Sequence, residues 1–124
     1  MHSHATPTVD VREAARRLDE PTAPAPLLVD VRERDEFAML RVPGAVLLPL
    51  SEFAAGFERL PRDRPLLMLC AAGARSQMTT EYLLRQGFGD VSNVVGGIGA
   101  WQAAGLPVTS GPVSAAEGAL PNLG

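Results

Sequence analysis

Short apolar runs alternate with segments of helical periodicity along almost the whole chain, and this alternation constrains the fold more than any other feature. Parallel strands that are buried on both faces form such continuous apolar runs, and helices usually connect them. We predict strands beginning at Val9 and over residues 27–31, 45–48, 66–69 and 91–95. The alternation therefore predicts an α/β domain with a five-stranded, mainly parallel sheet and helices on its faces.

Capping residues as well as apolar spacing mark the helical segments. We predict helices over residues 11–18, 33–40, 51–60 and 77–86, and a short one that ends near residue 104. Asp10 and Ser76 are expected N-caps, because their side-chain oxygens can accept the free N–H groups of a first turn. Gly87 is expected to end its helix in the left-handed conformation.

Length and composition indicate one domain. The chain has 124 residues, of which 46% are hydrophobic, and this is enough for a single core. We place the folded domain at residues 8–108. Residues 1–7 are expected to form a flexible N-terminus. Residues 109–124 are expected to form a flexible C-terminal tail, because they are rich in Gly, Pro, Ser and Ala without periodicity.

Charge and hydropathy exclude several classes of function. Eleven arginines are scattered along a chain with a net charge of −3, so no basic stripe for nucleic acid is expected. The chain contains no lysine, which excludes Schiff-base chemistry and the phosphate-binding lysine of a P-loop. No segment has the pattern of a signal peptide or approaches the roughly 20 apolar residues of a membrane-spanning helix. We therefore expect a cytoplasmic protein without a nucleic-acid or membrane partner.

The only cysteine, Cys70, lies where the apolar run 66–69 ends. It has no partner for an internal disulfide or a dithiol motif, so any sulfur that it takes up must leave for another molecule. Both histidines, His2 and His4, lie near the N-terminus. We therefore expect no metal site, no cofactor and no histidine base in the body of the domain.

The residues after Cys70 suit a thiolate held among backbone N–H groups. Small side chains let the backbone curl around an anion, and a fixed positive charge and a hydroxyl group follow. Each hydrogen bond to a charged group contributes about 1.5–3 kcal/mol, against about 0.3–1 kcal/mol for a helix dipole, so the loop amides should stabilise the thiolate most. Arg75 would bind the substrate anion, or else form a salt bridge with Asp30 or Glu36. The predicted site consists of Cys70 as the nucleophile and Ala71, Ala72, Gly73, Ala74, Arg75 and Ser76 as the substrate-binding loop.

Five groups of short motifs resemble the rhodanese family, from about residue 8 to residue 108. They are Asp30-Val31-Arg32 with Glu36-Phe37, Val42-Pro43-Gly44-Ala45, Cys70 to Ser76 as C-x-x-G-x-R-S, Gly96-Gly97 with Ala100-Trp101, and Ala104-Gly105-Leu106-Pro107-Val108. Each motif is weak by itself, but their common order makes the resemblance specific.

The resemblance implies a doubly wound α/β fold and a sulfurtransferase. Cys70 would take the outer sulfur of thiosulfate or of a persulfide and become a persulfide itself. It would then pass that sulfur to cyanide or to a thiol, including a protein thiol, in a ping-pong scheme. Asp30, Arg32 and Glu36 would support the structure near the site, and Trp101 would lie in the core or the pocket wall.

Two positions depart from the pattern of the family. Many members carry a basic residue directly after the nucleophile, where this chain has Ala71, so dianionic thiosulfate would be attracted less strongly. Leu40 and Arg41 replace the G-H that usually precedes the I-P-G-A turn. The sequence does not determine whether Arg41 faces the site.

Two alternative functions stay open. Cysteine-dependent phosphatases and arsenate reductases use C-x5-R, but four residues separate Cys70 from Arg75 here, and the loop carries no carboxylate to act as an acid. The shorter loop leaves less room for a tetrahedral group. The second alternative is a non-catalytic binding module, although such modules commonly lack the cysteine.

Overall fold

The computed structural model describes residues 5–121 of the chain. Both histidines and most of the expected flexible N-terminus lie outside the described residues, as do residues 122–124. The carbonyl of Pro7 accepts a hydrogen bond of 2.9 Å from the amide of Asn93. The chain therefore contacts the sheet one residue before its first strand.

Five short strands form one parallel sheet, as the apolar runs predicted. They are β1 (Thr8–Val9), β2 (Leu27–Asp30), β3 (Val46–Leu47), β4 (Leu66–Leu69) and β5 (Val91–Val94). The order across the sheet is β1-β5-β4-β2-β3, and every neighbouring pair is parallel. Strand β4 is therefore central. Its carboxyl end lies between those of β2 and β5, which is where open α/β sheets place their ligands.

The helices are α1 (Val11–Asp19), α2 (Arg34–Met39), α3 (Leu50–Gly56), α4 (Ala74–Arg85) and α5 (Gly97–Ala103), with a 3₁₀ turn at Phe57–Arg59. Asp10 caps α1 as predicted, because its carboxylate accepts the amide of Glu13 at 2.8 Å. Gly87 follows α4 with φ +91°, also as predicted. Among the described residues, no helix is long and apolar enough to cross a bilayer.

The prediction that Ser76 caps α4 was wrong. The helix begins at Ala74, its N-cap is Gly73, and Ser76 lies inside the first turn. The amide of Ser76 in this first turn donates to the sulfur of Cys70, so the loop around the sulfur leads directly into the helix. A serine side chain is therefore not needed to cap it.

Side-chain alternation along the central strands gives the sheet an apolar core on each face, which confirms the doubly wound α/β architecture. Leu66 and Met68 of β4 lie on one face, and Leu67 and Leu69 lie on the other. The first core is covered by Phe53, Phe57, Leu83 and Phe88, and the second by Val11, Ala14, Phe37, Ile98 and Trp101. Helices α3 and α4 therefore cover the first face, and α1, α2 and α5 cover the second.

Residues 109–121 lie against the domain, which differs from the flexible tail expected from the sequence. Arg41 and Thr109 exchange two backbone hydrogen bonds of 2.8 Å, and the carbonyl of Gly118 accepts the amide of Leu47 at 2.7 Å. The buried guanidinium of Arg41 bonds the carbonyls of Phe37, Ala38, Gly111 and Pro112 and pairs with Glu117. Backbone groups and one arginine hold this segment, and such contacts leave no periodic apolar pattern in a sequence.

Replacing Arg41 tests whether it anchors this segment. Arg41→Met removes the pair with Glu117 and the bonds to four carbonyls, so we expect a loss of about 1–3 kcal/mol in the free energy of unfolding. Hydrogen exchange measured by mass spectrometry should become faster at the amides of Leu47 and Thr109. The control Arg16→Met removes exposed ion pairs of α1 and should leave the free energy of unfolding nearly unchanged. Unchanged exchange at Leu47 in Arg41→Met would contradict the anchoring role.

Candidate active site

Cys70 follows directly after the central strand β4. The pleat places its side chain on the same face as Leu66 and Met68, toward α3 and α4. The residue is 1% exposed, so the thiol is buried at the carboxyl edge of the sheet. The protein groups around the sulfur therefore decide its protonation.

Three hydrogen-bond donors converge on the Sγ atom of Cys70. The amide of Gly73 lies 3.1 Å away, the amide of Ser76 3.3 Å and the hydroxyl of Ser76 3.2 Å. Gly73 adopts φ +109°, a conformation that side chains rarely allow, and this turn directs its amide at the sulfur. The loop thus places two backbone amides and one hydroxyl group around the sulfur.

These donors oppose the effect of burial on the Cys70 thiol. Burial by itself raises the pKa of Cys70, because it disfavours the charged thiolate. The hydroxyl and amide of Ser76 lower the pKa, and the amides of Gly73 and Ala72 add smaller effects in the same direction. The net result is a pKa of Cys70 below its usual value. The arrangement favours a nucleophilic thiolate.

The other predicted loop residues, Ala71, Ala74 and Arg75, lie beside this cradle and donate no hydrogen bond to the sulfur. The carbonyl of Ala71 accepts the amide of Gly99 at 3.1 Å. Ala74 and Arg75 are the first two residues of α4, so their amides have no partner within the helix. Among residues 5–121 these two amides also have no other acceptor. They are available to an anion that approaches the sulfur.

Asn93 of β5 also belongs to the site, and the sequence analysis missed it. Its Nδ2 donates to the carbonyl of Gly73 at 3.2 Å, and its Oδ1 lies 2.6 Å from the hydroxyl of Ser76, whose one proton is shared between this oxygen and the Cys70 sulfur. The side chain therefore joins both residues that contact the Cys70 sulfur. The signal in the sequence was a pair of polar residues, Ser92 and Asn93, between the valines of a strand, where burial demands hydrogen-bond partners.

The start of α5 holds the beginning of the loop. The amide of Ile98 donates to the carbonyl of Cys70 at 2.9 Å, beside the Gly99 bond to Ala71. Gly97 makes this approach possible, because a Cβ there would lie 2.3 Å from the carbonyl oxygen of Cys70 and 2.7 Å from the carbonyl carbon of Ala71. The Gly96-Gly97 motif therefore matters for the site through close packing of two backbones.

Arg75 forms a bidentate salt bridge with Glu36, one of the two possibilities that the sequence left open. Its NH1 and NH2 groups lie 2.8 and 2.9 Å from the two carboxylate oxygens. This hydrogen-bonded pair lowers the pKa of Glu36 to about 2. Glu36 also accepts the amide of Glu33 at 2.9 Å and so supports the first turn of α2. The binding of a substrate anion by Arg75 stays a prediction.

Asp30 and Arg32 form a second, fully buried pair next to the site. The NH2 group of Arg32 lies 2.8 Å from one oxygen of Asp30, and it also donates to the carbonyl of Leu40 at 2.7 Å. The amide of Arg32 donates to the same aspartate at 2.9 Å. These bonds connect the end of β2 to the end of α2. Both residues thus hold backbone groups in place, and their supporting role at the site stays a prediction.

Comparison with known proteins identifies the family. A model of the rhodanese-like domain matches residues 8–104. The chain belongs to the rhodanese-like domain family. A sulfurtransferase from Allochromatium vinosum is 40% identical over 84 residues, which cover 68% of this chain and 78% of that protein. Thiosulfate sulfurtransferase GlpE from Vibrio cholerae is 33% identical over 100 residues, which cover 81% of this chain and 92% of that protein.

A solved structure shows the same fold. The crystal structure of a rhodanese-related protein from Thermoplasma volcanium matches with a TM-score of 0.75 at 27% identity, over 83% of this chain and 97% of that chain. The resemblance carried by the short motifs is therefore confirmed as family membership. The general chemistry that the named relatives support is sulfur transfer.

Removing the hydroxyl of Ser76 tests the cradle of this rhodanese-like domain. Ser76→Ala deletes one donor to the thiolate, so the pKa of Cys70 should rise and alkylation by iodoacetamide at pH 7 should slow by about tenfold, the equivalent of one charged hydrogen bond. The measurement is the pH profile of the alkylation rate. The control is Ser92→Ala, which removes a different buried hydroxyl group, that of Ser92 on β5. Identical profiles for Ser76→Ala and the parent protein would contradict the cradle.

Substitutions at two glycines, Gly97 and Gly105, test the backbone packing beside the loop. Gly97 and Gly105 both have positive φ, +59° and +73°, but only at Gly97 would a Cβ meet the backbone of Cys70 and Ala71. Gly105→Ala should cost about 1–2 kcal/mol from backbone strain alone. Gly97→Ala should cost more and also slow alkylation of Cys70. Equal alkylation rates in the two variants would show that Gly97 does not shape the loop.

Proposed function

We propose that this protein transfers a sulfane sulfur through a persulfide on Cys70. The observation that carries this proposal is the set of three donors on the Cys70 sulfur, two of them from Ser76 and one from Gly73. Such donors favour the thiolate, which attacks sulfur without the help of a base. The sulfurtransferase names of the relatives support the same chemistry.

In the first half of the reaction, the Cys70 thiolate attacks the outer sulfur of thiosulfate or of a persulfide. A new S–S bond forms at Cys70, the old one breaks, and its electron pair leaves with sulfite or a thiolate. The free amides of Ala74 and Arg75 are suited to hold the anionic donor while the bond changes. The cysteine is left as a persulfide.

In the second half, an external thiol or cyanide attacks the terminal sulfur, and Cys70 leaves as the thiolate. The acceptor must come from outside, because the chain has one cysteine. This order of events is ping-pong. A free thiol that works in this way suits a reducing compartment, and we propose that the protein acts in the cytoplasm.

Phosphoryl transfer is less well supported by the same geometry. An enzyme that acts on phosphate or arsenate uses the positive charge of an arginine to hold the tetrahedral anion, whereas the charge of Arg75 is balanced by Glu36. The loop between Cys70 and Arg75 has four residues and none with a carboxylate. We therefore place this activity among the outcomes of the test.

Intact-protein mass spectrometry tests the proposal. The reduced protein is exposed to thiosulfate and, separately, to a low-molecular-weight persulfide, and we expect a mass gain of one sulfur atom at Cys70. Addition of cyanide or a thiol should remove the sulfur and release thiocyanate or a new persulfide. Cys70→Ser is the matched control and should gain no sulfur.

Two results would count against the proposal. One is the absence of a sulfur adduct with every donor. The other is equal turnover by Cys70→Ser. Release of phosphate from an aryl phosphate by the same sample, dependent on Cys70, would favour the phosphatase alternative instead.

A further inference from the structure

The charges beside the Cys70 sulfur cancel in pairs. Arg75 is the only charged residue between positions 70 and 76, and both of its terminal nitrogens bond Glu36 at 2.8 and 2.9 Å. Arg32, the other arginine that supports the site, is neutralised by buried Asp30 at 2.8 Å. The entrance to the sulfur therefore carries positive groups without a net positive charge.

The pair of Arg75 and Glu36 stays neutral over the whole pH range in which the enzyme would work. Glu36 has a pKa of about 2 because of its hydrogen bond to Arg75, so its carboxylate stays charged at every pH at which a cysteine thiolate forms. A donor with two negative charges would gain from Arg75 but would be repelled by Glu36 to a similar extent. With these two effects cancelled, a donor with one charge is favoured, because it loses less hydration on entering the site and still meets the same hydrogen-bond donors.

We propose that Glu36 determines donor specificity: by neutralising Arg75 it makes the site select monoanionic sulfane donors over dianionic thiosulfate. This inference rests on the proposed function, since it concerns the donor step at Cys70. Ala71 acts in the same direction, because it leaves the position after the nucleophile without a charge. Glu36 is thus a specificity residue that acts through the charge of Arg75.

Two donors that differ mainly in charge can separate this effect from general reactivity. Thiosulfate is a dianion, and methanethiosulfonate replaces one of its charged oxygens by a methyl group and is a monoanion. In both reactions the Cys70 thiolate takes the terminal sulfur, the S–S bond of the donor breaks, and the electron pair leaves as sulfite or methanesulfinate. No oxidant or reductant is needed.

The experiment compares kcat/KM for the two donors, with cyanide as the common acceptor. Glu36→Gln frees the charge of Arg75 but keeps an amide oxygen that can accept the amide of Glu33. We expect the ratio of thiosulfate to methanethiosulfonate to rise by about fivefold, as one partly exposed charge is removed. The rise should shrink at high ionic strength.

Two further variants test whether the change in the ratio comes from charge at the site. Glu13→Gln makes the same change of net charge on α1, where Glu13 pairs with Arg16 and Arg17, and should leave the ratio unchanged. Ala71→Arg adds a charge at the entrance without touching Glu36, and should raise the ratio in the same direction as Glu36→Gln.

The outcomes separate the two proposals. If neither donor forms a persulfide on Cys70, the proposed function fails. If both donors react but Glu36→Gln leaves their ratio unchanged, or lowers both rates equally, Glu36 has a structural role only and the specificity inference is wrong. A higher ratio in both Glu36→Gln and Ala71→Arg, with Glu13→Gln unchanged, supports it.

Discussion

The structure of the site depends on a competition at one sulfur atom. Burial at the end of β4 removes Cys70 from water and favours its neutral thiol, whereas the donors of Gly73 and Ser76 favour the thiolate. The hydrogen bonds to the sulfur outweigh the effect of burial only while the loop keeps its conformation. A small displacement would lengthen bonds that are already 3.1–3.3 Å long, and burial would then decide the protonation state. The reactivity of the thiol is therefore a property of the whole loop.

The sheet order explains how that loop is held. Because β4 lies between β5 and β2, the end of β5 brings Asn93 to the carbonyl of Gly73, and α5 brings Gly97 against the backbone of Cys70. On the other side, the end of β2 leads into α2, which carries Glu36 to Arg75. Segments far apart in the sequence thus fix a loop of a few small residues.

Local patterns were sufficient to predict the fold, because buried parallel strands and amphipathic helices leave regular signals. The position of Cys70 at a strand end, with a loop of small residues before a helix, could also be predicted, while the nucleophilic role of Cys70 stays a proposal. Ser76 was misassigned as an N-cap because the start of α4 is set by the sulfur that its amides bind. Arg41 and Glu117 are 76 residues apart in the sequence, and no local sequence pattern predicts an ion pair over that separation. Asn93 carried a local signal as a polar residue in a strand, but its partners Gly73 and Ser76 lie 20 and 17 residues away in the sequence.

The two ion pairs at the site differ in what they can do. Asp30 and Arg32 are buried, and separating them would leave an uncompensated charge in the core, so their arrangement is fixed. Arg75 and Glu36 are each about one-third exposed, 33% and 32%, and a pair of this kind is weakly held. A guanidinium has five N–H groups and Glu36 occupies two of them, so Arg75 can donate to a bound anion without leaving its partner. Glu36 thus cancels the charge of Arg75 but not its hydrogen bonding, and this separation lets one site bind an anion while giving little advantage to a second negative charge.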